Sequence, residues 1–185
     1  FIRKFNTNLT SIEWTTTIGA GTGHVEISPT AFLVSDCYDI YISGWGGSVN
    51  RNNSSAVNST SSGFPVTSDA YQFSTNGNNF YIAVLRPNAS AIKYATYMGG
   101  TSSSCHHVDG GTSRFDKAGN IYHSVCAACG GAANGFTTTP GVWSTQNASS
   151  NCNMAAFKFE LNKIDAIVSI PTASVCLPAP VVFSN

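Results

Sequence analysis

Charged side chains are scarce in this chain. Only 10% of its 185 residues are Asp, Glu, Lys or Arg, and the formal net charge is zero. An ordinary soluble domain carries roughly 25% charged residues. A nucleic-acid partner requires a basic surface that neutralises phosphates, and binding to an anionic membrane requires a basic cluster. The composition therefore predicts no nucleic-acid partner and no polybasic membrane contact.

Long apolar runs and helical patterns are also missing. No stretch approaches the ~18 apolar residues that cross a bilayer, so we expect no membrane insertion. No segment shows a sustained 3.6-residue period with helix caps. The surface must be made soluble by Ser, Thr, Asn and Gly, which is typical of exported proteins. We therefore expect an extracellular or cell-surface location, although no signal peptide is visible.

The chain repeats one pattern. Segment 1–19 aligns without gaps on segment 81–99, and Trp14 falls on Tyr94. Segment 154–162 repeats the opening of this motif a third time. The order of motifs is the same in both longer copies, while the spacing between them varies. One structural unit therefore recurs with loop insertions.

Four strand-like runs make up each repeat. In the better-covered copy they span 30–35, 39–46, 80–86 and 91–98. They are rich in β-branched and aromatic residues and are bounded by Gly, Pro, Asn and Asp. Four antiparallel strands per repeat, without a helix, are typical of a propeller blade. We predict an all-β fold of β-propeller-like four-stranded antiparallel blades, about two in number, with further blades upstream of Phe1.

The blade motifs resemble a known family. IYISGWGG, GFPVTSDAYQ and FYIAVLRPNASAIKYATYMGG follow one another as in the SBBP-type β-propeller repeat. The later copy is similar to repeats in very large surface proteins of Bacteroidetes, the SprB-like gliding-motility adhesins and related cargo of type IX secretion. The resemblance covers roughly residues 1–170. It implies a non-catalytic structural or interaction module that serves surface adhesion or gliding motility.

The amino-acid composition of the chain changes near residue 171. Segment 171–185 carries three prolines and resembles the linker and first strand of a following PKD or Ig-like module. Segment 1–170 is then the repeat region, with the end of one blade followed by two blades. The resemblance implies two kinds of partner, the neighbouring domains of the same long chain and a cell-surface or extracellular polymer ligand.

Six cysteines in an exported chain are predicted to form disulfides. Blade geometry places four of them on one face of the second blade, and these are Cys105, Cys126, Cys129 and Cys152. Our hypothesis joins Cys126 to Cys129 and Cys105 to Cys152. Structural zinc is the alternative, with histidines 106–107 as further ligands. Cys176 is expected to pair within the following module, and Cys37 is left without an assigned partner.

Two histidine–acid pairs occupy loops that the repeat makes equivalent. They are His24 with Glu26 and His107 with Asp109. A repeated metal or ligand contact is the functional interpretation. The alternative is that the histidine bonds to neighbouring backbone and the carboxylate stabilises the turn. His123 lies inside a strand-like run and is predicted to be packed.

No cofactor is predicted, with zinc at the cysteines and calcium at the acidic pair 36/39 as the only candidates. An oxygen cage for calcium needs six or more ligands, so an ordinary turn explains the acidic pair better. The acidic residues are scattered, and neither a glycosidase pair nor a G-x-S-x-G elbow is present. We therefore predict that the chain is not an enzyme.

Five aromatic residues are predicted to pack between blades, because two pairs of them, Trp14 with Tyr94 and Tyr71 with Trp143, are equivalent in the repeat. The set comprises Trp14, Trp45, Tyr71, Tyr94 and Trp143. Exposed aromatic platforms would instead favour sugar binding. Two rival functions follow, a carbohydrate-binding propeller module and a part of a propeller enzyme whose active site lies outside this segment.

Overall fold

The fold is all-β, as predicted. The computed structural model describes residues 1–52, 54–100, 102–109 and 113–161. Within these ranges the strands are β1 Ile2–Phe5, β2 Ile12–Thr16, β3 Ser28–Val34, β4 Ile40–Trp45, β5 Phe80–Leu85, β6 Ile92–Met98, β7 Cys105–His107, β8 Ser113–Phe115, β9 Ile121–Cys129 and β10 Asn153–Phe159. The helical segments described are three 3₁₀ turns, Asn50–Asn52, Ser54–Ala56 and Pro87–Ala89.

The strands form three antiparallel sheets in chain order. The first sheet is the β1–β2 hairpin, and the second has the order β3-β4-β5-β6. The third has the order β10-β9-β7, with β8 also paired to β9. The four strand-like runs of the better-covered repeat correspond to β3, β4, β5 and β6. Consecutive strands pair with each other in the first two sheets, whereas in the third sheet β7 and β8 both pair with β9.

The two segments predicted to be equivalent form hairpins of the same register. Ile2 pairs with Thr16 in the first hairpin, and Ile82 pairs with Thr96 in the second. All four pairs of the first hairpin recur in the second with both partners displaced by 80 residues. Each hairpin also shifts its register at the corresponding step. The internal repeat is therefore confirmed at the level of backbone pairing.

The second sheet is buried on both faces. All six residues of β4 and all six of β5 are buried. Successive side chains of a strand point to opposite faces, so each strand contributes to two cores. The core shared with the first hairpin contains Ile40, Ile42, Tyr81, Ala83 and Leu85. The core shared with the third sheet contains Trp45, Phe80, Ile82, Ile121, Val125 and Ala127.

The aromatic residues follow the prediction only in part. Trp45 is buried, and Trp14 and Tyr94 are half-buried. Trp143, however, is fully exposed, and Tyr71 is 51% exposed. The prediction of packing between sheets is wrong for Trp143 in this structure, because its side chain lies in the β9–β10 loop and is fully exposed.

Two expectations concern the module after residue 170 and insertion into a membrane. Segment 171–185, with the predicted start of a PKD or Ig-like module, lies outside the described residues. In the part of the chain that the structure describes, no helix has both the length and the apolar character needed to cross a bilayer.

Candidate functional site

Cysteine, histidine and aspartate side chains meet at one end of the third sheet. We call this set the cysteine–histidine cluster, and its members are Cys105, His107, Asp109, Cys126, Cys129 and Cys152. Antiparallel pairing of β7 with β9 sets Cys105 opposite Cys129 and His107 opposite Cys126. The register shifts between these two pairs, where Ala128 has a φ of 53°. Sequence reasoning named all six residues but did not foresee their arrangement.

The disulfide of the cluster joins Cys129 to Cys152, while Cys105 and Cys126 are free thiols. The hypothesised pairs Cys126–Cys129 and Cys105–Cys152 are therefore wrong in this structure. An extended strand advances ~3.3 Å per residue, which places cysteines three positions apart too far from each other for a bridge. Strand β9 lies between β7 and β10, so it separates Cys105 from Cys152.

Away from the cluster, Cys37 lies in the β3–β4 turn and is disulfide-bonded. Cys176, which was expected to pair within the following module, lies outside the described residues. In the same turn the Asp39 carboxylate accepts a hydrogen bond of 2.6 Å from Lys93 Nζ. The lysine neutralises a carboxylate that a calcium ion would need, and the turn interpretation of the acidic pair is favoured.

His107 is buried and stands between two groups. Its Nδ1 lies 3.6 Å from Cys129 Sγ, on the disulfide side. Its Nε2 lies 3.4 Å from Asp109 Oδ2. The same carboxylate oxygen accepts a hydrogen bond of 3.4 Å from the Cys126 thiol. Asp109 is thus the common neighbour of the imidazole and the free thiol.

This arrangement does not activate Cys126 as a nucleophile. Burial raises the pKa of the thiol, and the hydrogen bond and charge of Asp109 raise it further. A reactive cysteine needs the opposite, a positive neighbour or a helix N-terminus that lowers its pKa. A Cys–His–Asp triad also requires the imidazole beside the sulfur, whereas here the carboxylate lies beside it.

Two groups of three side chains have the spacing of metal ligands in the described residues. The first is His107 with Cys129 and Cys152, and the second is His107 with Asp109 and Cys126. The sulfurs of the first group are bonded to each other, so a zinc ion could use them only after reduction. The second group offers a free thiol, a carboxylate and an imidazole in the structure as it stands.

His24 and Glu26 do not take part in a comparable cluster. His24 is exposed, whereas Glu26 is 7% exposed. The Glu26 carboxylate accepts hydrogen bonds from the Ala20 amide at 2.9 Å and from the Thr22 hydroxyl at 2.7 Å. The alternative interpretation, a carboxylate that stabilises the turn, is confirmed for Glu26.

The structural counterpart of Glu26 is His106. A Cβ at Gly19 would lie against the Glu26 carboxylate, and a Cβ at Gly99 would lie against the His106 imidazole. Both pairs are related by the same displacement of 80 residues as the hairpins. The predicted equivalence of the two histidine–acid pairs is therefore wrong, because it used a different displacement across the loop.

Two further histidines, His106 and His123, are buried and hydrogen-bonded within the fold. His123 Nε2 shares a hydrogen bond of 3.1 Å with Ser43 Oγ, and its Nδ1 shares one of 3.0 Å with Ser113 Oγ. Burial lowers the pKa of His123 to about 4. His106 Nδ1 accepts a 3.0 Å hydrogen bond from the Ala128 amide. Burial, with a smaller contribution from the neighbouring imidazole, lowers the pKa of His106 to about 4.

The packed environment predicted for His123 is confirmed, because the side chain is 2% exposed. Its ring also stacks on Phe157, with 4.8 Å between ring centroids. Since Ser43 belongs to β4 and His123 to β9, their hydrogen bond joins the second sheet to the third. No short sequence motif announces this contact, which depends on how the sheets stack.

No protein-family model, curated protein or solved structure matches the chain. The resemblance to SBBP-type repeats therefore rests on the sequence motifs alone.

Proposed function

We propose that the chain is a non-catalytic structural and interaction module of a larger cell-surface protein, in which four-stranded sheets stack as the blades of a propeller. The observation that carries this proposal is the two-sided burial of β4 and β5. A sheet with no solvent face requires a packed neighbour on each side. Stacking of repeated sheets is the arrangement used by propellers and other repeat folds.

The flanking sheets suggest the partners of this module. Phe5 and Ile12 on the first hairpin are 42% and 50% exposed, and Met154 on β10 is 76% exposed. Further copies of the unit would bury such side chains, so neighbouring domains of the same long chain are the partners that we propose.

A location outside the cell is supported by the Cys129–Cys152 disulfide, because such bonds persist in oxidising compartments. The resemblance to SprB-like adhesins favours surface adhesion or gliding motility in Bacteroidetes as the setting. The test is antibody labelling of intact cells that make the protein. We expect labelling without permeabilisation and its loss after protease treatment of whole cells. Labelling that requires permeabilisation would contradict a surface location.

The packing of the sheets on one another can be tested by pulling the chain from its two ends in a single-molecule force experiment. We expect the second sheet to unfold in one discrete event together with the sheets packed on it. Reduction of Cys129–Cys152 should lengthen the unfolded chain by about 8 nm, because the bridge spans a sequence separation of 23 and each residue adds up to ~3.6 Å. Gradual extension without a discrete event would contradict the proposal that the stacked sheets form one structural module.

Carbohydrate binding is a second candidate, favoured by the exposure of Trp143. This side chain and the rings of Tyr71, Tyr94 and Phe159 line a groove of about 1390 Å³. Exposed aromatic rings offer large apolar faces on which a sugar ring can stack. A glycan array should show binding that Trp143→Ala weakens at least tenfold. Equal binding by this variant, or no binding by the native chain, would exclude carbohydrate binding at this groove.

A further inference from the structure

The three ligand atoms beside the disulfide have the spacing of a zinc site. His107 Nε2, Asp109 Oδ2 and Cys126 Sγ lie within 4.8 Å of one another. The carboxylate oxygen is 3.4 Å from the nitrogen and 3.4 Å from the sulfur. Ligands at 2.0–2.3 Å from a tetrahedral zinc stand roughly 3.3–3.8 Å apart. A small inward adjustment of one side chain would therefore complete the three bonds.

The disulfide can accept a hydrogen bond from the tautomer of His107 that a metal at Nε2 requires. Its Nδ1 lies 3.6 Å from Cys129 Sγ. A disulfide sulfur carries no proton, so a hydrogen between these two atoms can come only from Nδ1. In that tautomer the Nε2 lone pair faces Asp109 and is available to a metal, whereas in the other tautomer Nε2–H donates to the carboxylate. Ligating histidines commonly donate their other ring N–H to a neighbouring acceptor in this way, which fixes the orientation of the ring.

The surroundings provide access on one side and closure on the other. His107 is 8% exposed, whereas the side chain of Asp109 is 76% exposed. Asp109 and Cys126 line a surface cavity of about 280 Å³, together with Cys152 and Met154. An ion could enter from this cavity. A fourth coordination position would remain open to water, which is the composition of a three-ligand zinc site.

We propose that His107, Asp109 and Cys126 bind a zinc ion through one imidazole, one carboxylate and one thiolate while the Cys129–Cys152 disulfide stays intact. On binding, the Cys126 S–H bond breaks, its proton leaves to solvent, and the sulfur electron pair forms the bond to zinc. Thiolate and imidazole ligands favour zinc over calcium or magnesium. The proposal goes beyond the stacking module, which requires no metal.

The metal-free alternative is a satisfied hydrogen-bonded group. In it, Asp109 accepts from the Cys126 thiol and from the Nε2–H of His107, and the three side chains only tie β7 to β9. The two descriptions differ in one measurable respect, since the hydrogen-bonded group has no particular affinity for zinc.

The first test is calorimetric titration of zinc into the full chain after treatment with a chelator, without reductant. We expect one zinc per chain at neutral pH, at least tenfold weaker binding by Cys126→Ser, and no binding of calcium. Cys105→Ser is the matched control, because Cys105 is the other free thiol in the described residues and lies outside the group. It should bind zinc as the native chain does.

Three outcomes of the titration would overturn the proposal. They are no zinc binding by the native chain, equal binding by Cys126→Ser, and binding that appears only after the disulfide is reduced. The last outcome would indicate that zinc binds through Cys129 and Cys152 instead.

A second readout uses the native chain alone and does not depend on the folding of a variant. Thiol alkylation followed by peptide mass spectrometry compares Cys126 with Cys105 in the presence and absence of zinc. We expect zinc to slow the alkylation of Cys126 at least tenfold and to leave Cys105 unchanged. Equal rates with and without zinc at Cys126 would refute the site.

Discussion

The second and third sheets share a plan of antiparallel strands but are held together differently. In the second sheet the two central strands are buried along their whole length, and the contacts are mainly apolar. In the third sheet β10 alternates between exposed and half-buried residues. That sheet instead contains a disulfide, two buried histidines and the cysteine–histidine cluster.

In the described residues the second sheet is stabilised mainly by apolar burial on both faces, whereas the third sheet also contains a covalent bridge. A sheet covered on both faces gains roughly 25 cal/mol for each Å² of apolar surface buried. A sheet covered on one face gains less from burial, and a covalent bridge can compensate by restricting the unfolded chain. The repeat therefore conserves backbone pairing while the source of stability changes from one copy to the next.

Lowering the pH should produce the largest difference in stability between the two sheets. The histidines at 106 and 123, both in the third sheet, have a folded-state pKa of about 4, against 6.5 in the unfolded chain. Their contribution is complete above pH 6.5 and is lost as the pH falls toward 4, because the unfolded state takes up protons first. We expect each histidine to lower the free energy of unfolding by about 3 kcal/mol as the pH falls across this range, and urea unfolding at a series of pH values measures this loss.

The variant His123→Gln removes one of the two titrating groups from the interface. The fall in unfolding free energy between pH 6.5 and 4 should shrink by about half in this variant. A native chain whose stability is flat over this interval would contradict the buried, neutral state of both histidines.

Truncation of Phe80 should give the next largest effect. This side chain is fully buried and contacts the rings of His123 and Phe157 across the interface between the sheets. Phe80→Ala should cost about 3–5 kcal/mol of unfolding free energy. Phe32→Ala is the control, since Phe32 lies on β3 and is 59% exposed, and it should cost well under half as much. Similar costs at the two positions would refute the two-sided burial.

Loss of the disulfide should destabilise the third sheet selectively. The bridge closes a loop with a sequence separation of 23, which corresponds to about 3 kcal/mol in the chain-entropy description. We expect the double variant Cys129→Ala/Cys152→Ala to show faster amide exchange in β9 and β10. Amides of β5 should keep most of their protection. A uniform loss of protection across both sheets would show that the disulfide does not stabilise the third sheet selectively.

The hydrogen bond between Ser43 and His123 gives the smallest expected effect. Ser43→Ala leaves a ring nitrogen of a buried histidine without its partner, which should cost about 1–2 kcal/mol. Ser90→Ala, at an exposed position, is the control and should cost less than about 0.5 kcal/mol. Equal costs would show that the serine does not join the two sheets.

The strands were predictable from the sequence because their signals are local. Runs of β-branched and aromatic residues between turn residues placed β3, β4, β5 and β6, and the gapless alignment of 1–19 on 81–99 predicted two equivalent segments, which form hairpins of the same register. These features depend on neighbours within a few residues or on a repeat of constant spacing.

The cluster was predictable in its membership and not in its bonding. Which cysteines meet depends on strand order, and β9 stands between β7, which carries Cys105, and β10, which begins directly after Cys152. The correspondence of Glu26 with His106 was missed because the sequence alignment matched the two His–acid pairs with a displacement of 83, whereas these positions keep the displacement of 80 found in the hairpins. The exposure of Trp143 depends on what covers the β9–β10 loop, which no local pattern states.

Amide hydrogen exchange across the whole chain tests the stacking of the sheets most directly. If the second sheet is covered on both sides, the backbone amides of β4 and β5 should be the slowest to exchange in the described residues. Those of β9 should follow, and those of β1, on the open hairpin, should exchange faster. Amides of β5 that exchange as fast as those of β1 would contradict the account.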